Sequence, residues 1–112
     1  MIEVNGGLLV ATEKAGQVEF ARVSPDSLSP NQITPAPGMG KRKHPVVLAN
    51  SKGETLLAWT ENIGWAKGGS LAWQRYSADG KPEGEKGTAR GVPTWSLITG
   101  YTKPNGDFVI VY

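Results

Sequence analysis

"TLLAWTENIGWAKGGSLAWQRYSADG", residues 55–80, holds two short apolar runs, a glycine-rich loop between them and a Ser-Ala-Asp-Gly ending. TLLAWTE (55–61) is apolar on both faces at its middle, the pattern of a strand sandwiched between neighbouring sheets. In SLAWQRYS (70–77), Leu71 and Trp73 share one face while Ala72, Gln74 and Tyr76 share the more polar other, so one face is expected inward. Asp79 can bond nearby backbone N–H groups and Gly80 accepts positive φ, so SADG reads as a turn with no catalytic purpose.

Upstream, HPVVLA (44–49) supplies another strand, entered from Pro45, which has no N–H to donate, and NSKGE makes the turn into TLLAWTE. A ragged polar fourth strand is expected within 84–90. The same unit is written earlier: Leu8, Thr12 and Glu13 match Leu56, Thr60 and Glu61 at an offset of 48. Val18, Phe20, Arg22, Ser24 and Asp26 match Leu71, Trp73, Arg75, Ser77 and Asp79 at 53, as if five residues had entered between the strands. The early copy's fourth strand is expected within 32–37. A third copy begins with Pro93 against Pro45 and continues with Gly106 against Gly53 and Tyr112 against Trp59. Length changes confined to turns are what a repeated sheet permits, since an insertion inside a strand flips its side chains.

A period near fifty with several strands lies in the range of propeller blades, roughly 40–50 residues each. The units run over about 1–41, about 42–89 and, incomplete, about 90–112, with MIEV as a short first strand. The expected fold is all-β: β-propeller-like repeats of four-stranded antiparallel blades, about two and a half in one partial unit. Closed rings need at least about 4 blades, and the DFVIVY edge invites pairing, so a homo-oligomer through sheet edges is expected.

Composition agrees: 112 residues bound one modest core, and 15 glycines, 8 prolines and tryptophans at 59, 65, 73 and 95 describe many turns and little helix. A formal charge of +2 gives no reason to expect nucleic acid or an anionic membrane surface. Without cysteine there is no disulfide, thiolate nucleophile or Cys-based zinc site. No stretch approaches the roughly 20 apolar residues of a membrane helix, and Met1-Ile2-Glu3 is not the basic opening of a secretory signal; a soluble chain is expected, its compartment open.

Candidate chemistry is sparse. Trp65 and Lys67, in ENIGWAKGG (61–69), set an aromatic face beside a cation, and with Arg90 and Trp95 they form the expected contact surface for a carbohydrate or a small acidic ligand. GKRKH (40–44) reads as a solvated basic loop, because PGMGK lacks the spacing of a phosphate cradle. His44 is the only histidine, and its plain role is local bonding before Pro45. Glu13 and Glu61 share a repeat position, whereas paired catalytic carboxylates need different environments. No cofactor or metal is expected.

SADG is similar to the start of the S-x-D-x-G turn of sialidase-type and Asp-box β-propellers, although no aromatic follows Gly80 as that motif normally has. KHPVVLANSKGETLLAWTENIGWAKGGSLAWQRYSADGKP, with GVPTWS and GDFVIVY, resembles propeller repeats of uncharacterised bacterial proteins over nearly the whole chain. The resemblance implies the fold and carries no activity over: the arginine triad, acid/base and tyrosine nucleophile of sialidases match no motif around Arg22, Arg42, Arg75 or Arg90. The expected function is a non-catalytic binding or interaction module. A glycosidase-like hydrolase with a site formed across subunits is the rival, and a truncated propeller fragment the third reading.

Overall fold

The computed structural model describes residues 1–4, 7–24, 26, 30–38, 40–64, 67–94 and 96–112. Its described elements are ten strands: β1 (Ile2–Val4), β2 (Gly7–Lys14), β3 (Gln17–Val23), β4 (Pro30–Pro35), β5 (Arg42–Ala49), β6 (Thr55–Glu61), β7 (Gly69–Tyr76), β8 (Pro82–Val92), β9 (Thr99–Thr102) and β10 (Phe108–Val111). They form two four-stranded sheets, β1-β2-β3-β4 and β5-β6-β7-β8, and a two-stranded hairpin of β9 and β10, all paired antiparallel between consecutive strands. The chain is therefore all-β, as its turn-rich composition leads one to expect.

Three turns of one geometry set the hairpin spacing. In Asn50–Gly53, Ser77–Gly80 and Lys103–Gly106, the final glycine donates its N–H to the carbonyl of the first residue at 3.1, 2.9 and 2.9 Å. The same first residue donates to the carbonyl one place beyond that glycine, and the three glycines have φ of 82°, 84° and 96°. A side chain there would be strained, so glycine recurs for a backbone reason. SADG is thus one of three equivalent turns, with the Ser77 hydroxyl donating to the Asp79 carboxylate.

The middle sheet is covered on both sides. Val47, Leu57, Trp59, Ala72 and Tyr76 point toward the first sheet and pack with Leu9, Val18, Phe20 and Ala36. Ala58 and Leu71 point the other way, into a second cluster with Ile63, Val92 and Ile98, flanked by Val46, Trp73, Ala89 and Ile110. This explains the unbroken apolar run of β6, whose side chains from Thr55 to Thr60 are all buried. It also corrects the expectation of one inward face for β7: Ala72, Gln74 and Tyr76 are as buried as Leu71. Gln74 tolerates this because its amide donates to the carbonyls of Arg75, Glu83 and Gly84 at 2.9, 3.3 and 3.2 Å.

Two further readings change. β5 starts at Arg42, and Pro45 lies where the β5–β6 register shifts between Lys43 and Val46, a bulge that needs no ladder donor from it. The copies also align differently. Leu9 opposes Arg22 as Leu56 opposes Arg75, and Ala11 opposes Phe20 as Ala58 opposes Trp73, so β2 and β6 correspond at an offset of 47, not 48. Glu13 and Glu61 therefore sit on opposite faces of their sheets, Glu13 matching Thr60. In the last unit, Ala49 matches Thr102 and Thr55 matches Phe108, so the counterpart of Val47 is Gly100 and not Trp95, the residue that the offset of 48 between Pro45 and Pro93 sets against it.

Candidate functional site

The middle sheet ends in two clefts of equal construction and very unequal size. Between the first and middle sheets, Leu9, Phe20, Arg22, Thr34 and Thr55 border a residual space of about 30 Å³. Between the middle sheet and the β9–β10 hairpin, the counterparts Leu56, Trp73, Arg75 and Phe108 border a groove of about 580 Å³, together with Leu71, Ala89 and Ile110. In the small cleft, β7 itself fills the volume: the Tyr76 ring meets Phe20 edge-on at a centroid distance of 4.9 Å, and its hydroxyl donates to the Pro35 carbonyl at 3.4 Å. In the large one, β10 is the last described strand, and Trp73 is only partly buried while Phe20 is buried.

Trp73 forms part of the groove wall. It lies over Gly87 of β8 so closely that a Cβ at Gly87 would collide with the indole, which leaves glycine as the residue that fits beneath the ring. The hairpin wall is tied down where the Thr102 hydroxyl donates to the Ala49 carbonyl at 3.1 Å and the Asn50 amide donates to the Gly106 carbonyl at 3.0 Å. The mouth carries Lys52, Lys103 and Arg75 against Glu54 and Asp107. Arg75 bridges Glu54 at 2.9 Å and Glu83 at 3.3 Å. Hydrogen bonds from Asn50, Glu83 and Arg75 hold the Glu54 carboxyl down at about 2, while the neighbouring Glu54 raises Glu83 above the ordinary carboxyl range. The two carboxylates thus share one cation and titrate apart.

The expected contact residues lie elsewhere. Lys67 is exposed and exchanges backbone bonds with Gly64 at 3.1 and 3.2 Å, and Arg90 is exposed on β8 opposite Ser70. Both belong to the end of the middle sheet away from the groove mouth; Trp65 and Trp95 lie outside the described residues. His44 adopts φ 54°, its backbone N–H donates to the Glu13 carboxylate of the first sheet at 3.3 Å, and its Nδ1 is 3.4 Å from the Thr60 hydroxyl on β6, so its bonds reach across strands and are not local to Pro45.

The basic run contains the largest departure from expectation. Lys41 and Lys43 are exposed, yet Arg42 is fully buried, its guanidinium 5.5 Å from the Trp59 ring centroid and donating to Gln17 at 3.2 Å, to the Ala36 carbonyl at 3.1 Å and to the Pro37 carbonyl. Lys86, 5.8 Å from the same ring, pairs with Glu61 at 2.6 Å. Two cations against one indole make this corner a structural clasp between sheets, and a surface reading of GKRKH does not hold for Arg42. Among the described residues there is no group of three potential metal ligands. No protein-family model, curated protein or solved structure matches the chain.

Proposed function

We propose that the chain is a β-propeller-type stack of blade-like sheets, a non-catalytic binding or interaction module that joins further copies of itself to complete a ring. The observation that supports this most is directional stacking. The face of the first sheet bearing Phe20 packs on the middle sheet, and the equivalent face of the middle sheet, bearing Trp73, packs on the third hairpin. Repeating that step needs two unlike outer faces, and both ends carry exposed apolar side chains: Leu8 (36 %) and Ile33 (53 %) on the first sheet, Tyr101 (55 %) and Val111 (52 %) on the hairpin. Unlike patches join head to tail, which yields rings when the rotation closes. Lys67 and Arg90 leave the loop end of the middle sheet as the place for a carbohydrate or an acidic ligand.

Light scattering coupled to size-exclusion chromatography tests the assembly, with a mass of several chains expected; a monomer at micromolar concentration would overturn it. Turnover of fluorogenic glycosides, lost on Glu61→Gln, would replace the binding module by the hydrolase reading.

A further inference from the structure

We propose that the groove between β7–β8 and β10 accepts a β-hairpin from a partner polypeptide, its first strand pairing antiparallel with β10 and its aromatic side chain resting on Trp73. The inference rests on the repeated stacking within the chain and not on ring closure. The chain contains its own filled example. Leu9, Phe20, Arg22 and Thr55 occupy around the first cleft the positions that Leu56, Trp73, Arg75 and Phe108 occupy around the groove, and there β7 leaves about 30 Å³ where the groove has about 580 Å³.

The occupant's chemistry follows from what fills that example. Strand β7 presents Ala72, Gln74 and Tyr76 on the covering face, a small residue, an amide and an aromatic at alternate positions. Backbone pairing with β10 supplies affinity and the alternate side chains supply specificity, the mode by which an extended segment extends an open sheet edge. Lys52 and Lys103 flank the groove mouth at the level of the 103–106 turn, so an acidic hairpin turn, such as the Asp79 turn beside the Asn50–Gly53 turn in the middle sheet, meets complementary charge.

A second copy fits less well. Its two complete sheets hold their strands in four-stranded ladders and offer no free hairpin, and joining β10 to β10 antiparallel places a two-fold axis perpendicular to the sheet. Both copies' middle sheets would then lie on the same face of the joined sheet, in the same volume.

The test uses the full chain with a synthetic peptide of residues 69–92 as the probe hairpin, followed by hydrogen exchange at the amides of 108–111. The expected result is slowed exchange at those amides, with binding weakened roughly tenfold when the peptide carries Tyr76→Ala, the loss of an aromatic pair and its buried area. Changing the peptide leaves the folding of the chain untouched. No protection at millimolar peptide, equal protection by both peptides, or protection of β6 by strand exchange would each overturn the inference while leaving the propeller reading in place. Amides of 108–111 already protected in a multimer without peptide would assign the groove to a second copy, and overturn it too.

Discussion

Replacing Leu9 and Leu8 in turn by alanine separates the two possible registers of the first sheet. Leu9 is 1 % exposed and packs with Val18, Phe20 and Trp59, whereas its neighbour Leu8 is 36 % exposed on the outward face. Leu9→Ala removes about three methylene equivalents at about 0.8 kcal/mol each, and the cavity left in a packed cluster raises the loss to roughly 3–4 kcal/mol. Leu8→Ala gives up burial that is already partial, about 1 kcal/mol. With an unfolding entropy of about 2.1 cal/mol/K per residue, those losses lower Tm by roughly 13 °C or more and by about 4 °C. Differential scanning calorimetry with urea titration measures both. A Leu8 variant as damaged as the Leu9 variant, or more so, would refute the offset of 47 and restore the alignment by residue identity.

Arg42→Ala leaves the Ala36 and Pro37 carbonyls and the Gln17 amide without their donor beneath Trp59, and a loss of about 3–5 kcal/mol is expected in urea unfolding. Arg42→Lys should recover only part of it, since an ammonium lacks the planar fork, and a change under about 1 kcal/mol would show Arg42 to be solvated. In a carbon-detected NMR titration, Glu54 should lose its charge near 2 and Glu83 above the usual carboxyl range. Because the folded-state value of Glu54 is depressed, its contribution is present above about 4.5 and is lost as pH falls toward 2; Glu83, raised, contributes in the opposite sense. Glu54→Gln should flatten the acid limb of the stability profile, and an unchanged limb would count against the Asn50–Glu54–Arg75 cluster.

Strands were legible in this sequence because turns are short and chemically explicit. NSKG, SADG and KPNG each end in a glycine that the backbone requires at positive φ, and the strands between them follow. Parity was not legible. Leu8-Leu9 and Leu56-Leu57 are both adjacent pairs, so hydrophobicity does not say which leucine faces in, and Thr-Glu after each pair favours the wrong match. The deciding fact is the Lys14–Gln17 hairpin, closed by Ala15 and Gly16 at φ 52° and 76°, which makes the insertion in the second copy six residues and not five. Arg42 was hidden for another reason: its acceptors are carbonyls at the far end of another sheet, and carbonyls leave no mark in a sequence. The groove belongs to the same class, since only the stacking of the hairpin on β5 shows that Trp73 borders open space.

The two ends of the stack are not equivalent, and this bears on the proposed assembly. The outward positions of the first sheet that correspond to Trp59 and Ala72 are Thr12 and Glu19, hydrogen-bonded to each other at 3.4 Å, so that face is partly finished with polar groups. Terminal repeats of stacked proteins carry such polar outer faces. The hairpin's outward face carries Tyr101 and Val111 instead, on a sheet only two strands wide. Contact between these ends must desolvate Glu19 and yet gains area from only half a sheet, so it is intrinsically weaker than the contact between the first and middle sheets. A hairpin seated beside β10 doubles the strands of that face and roughly doubles the area it offers. A filled groove would therefore strengthen the proposed contact between the ends, which the chain by itself makes more weakly.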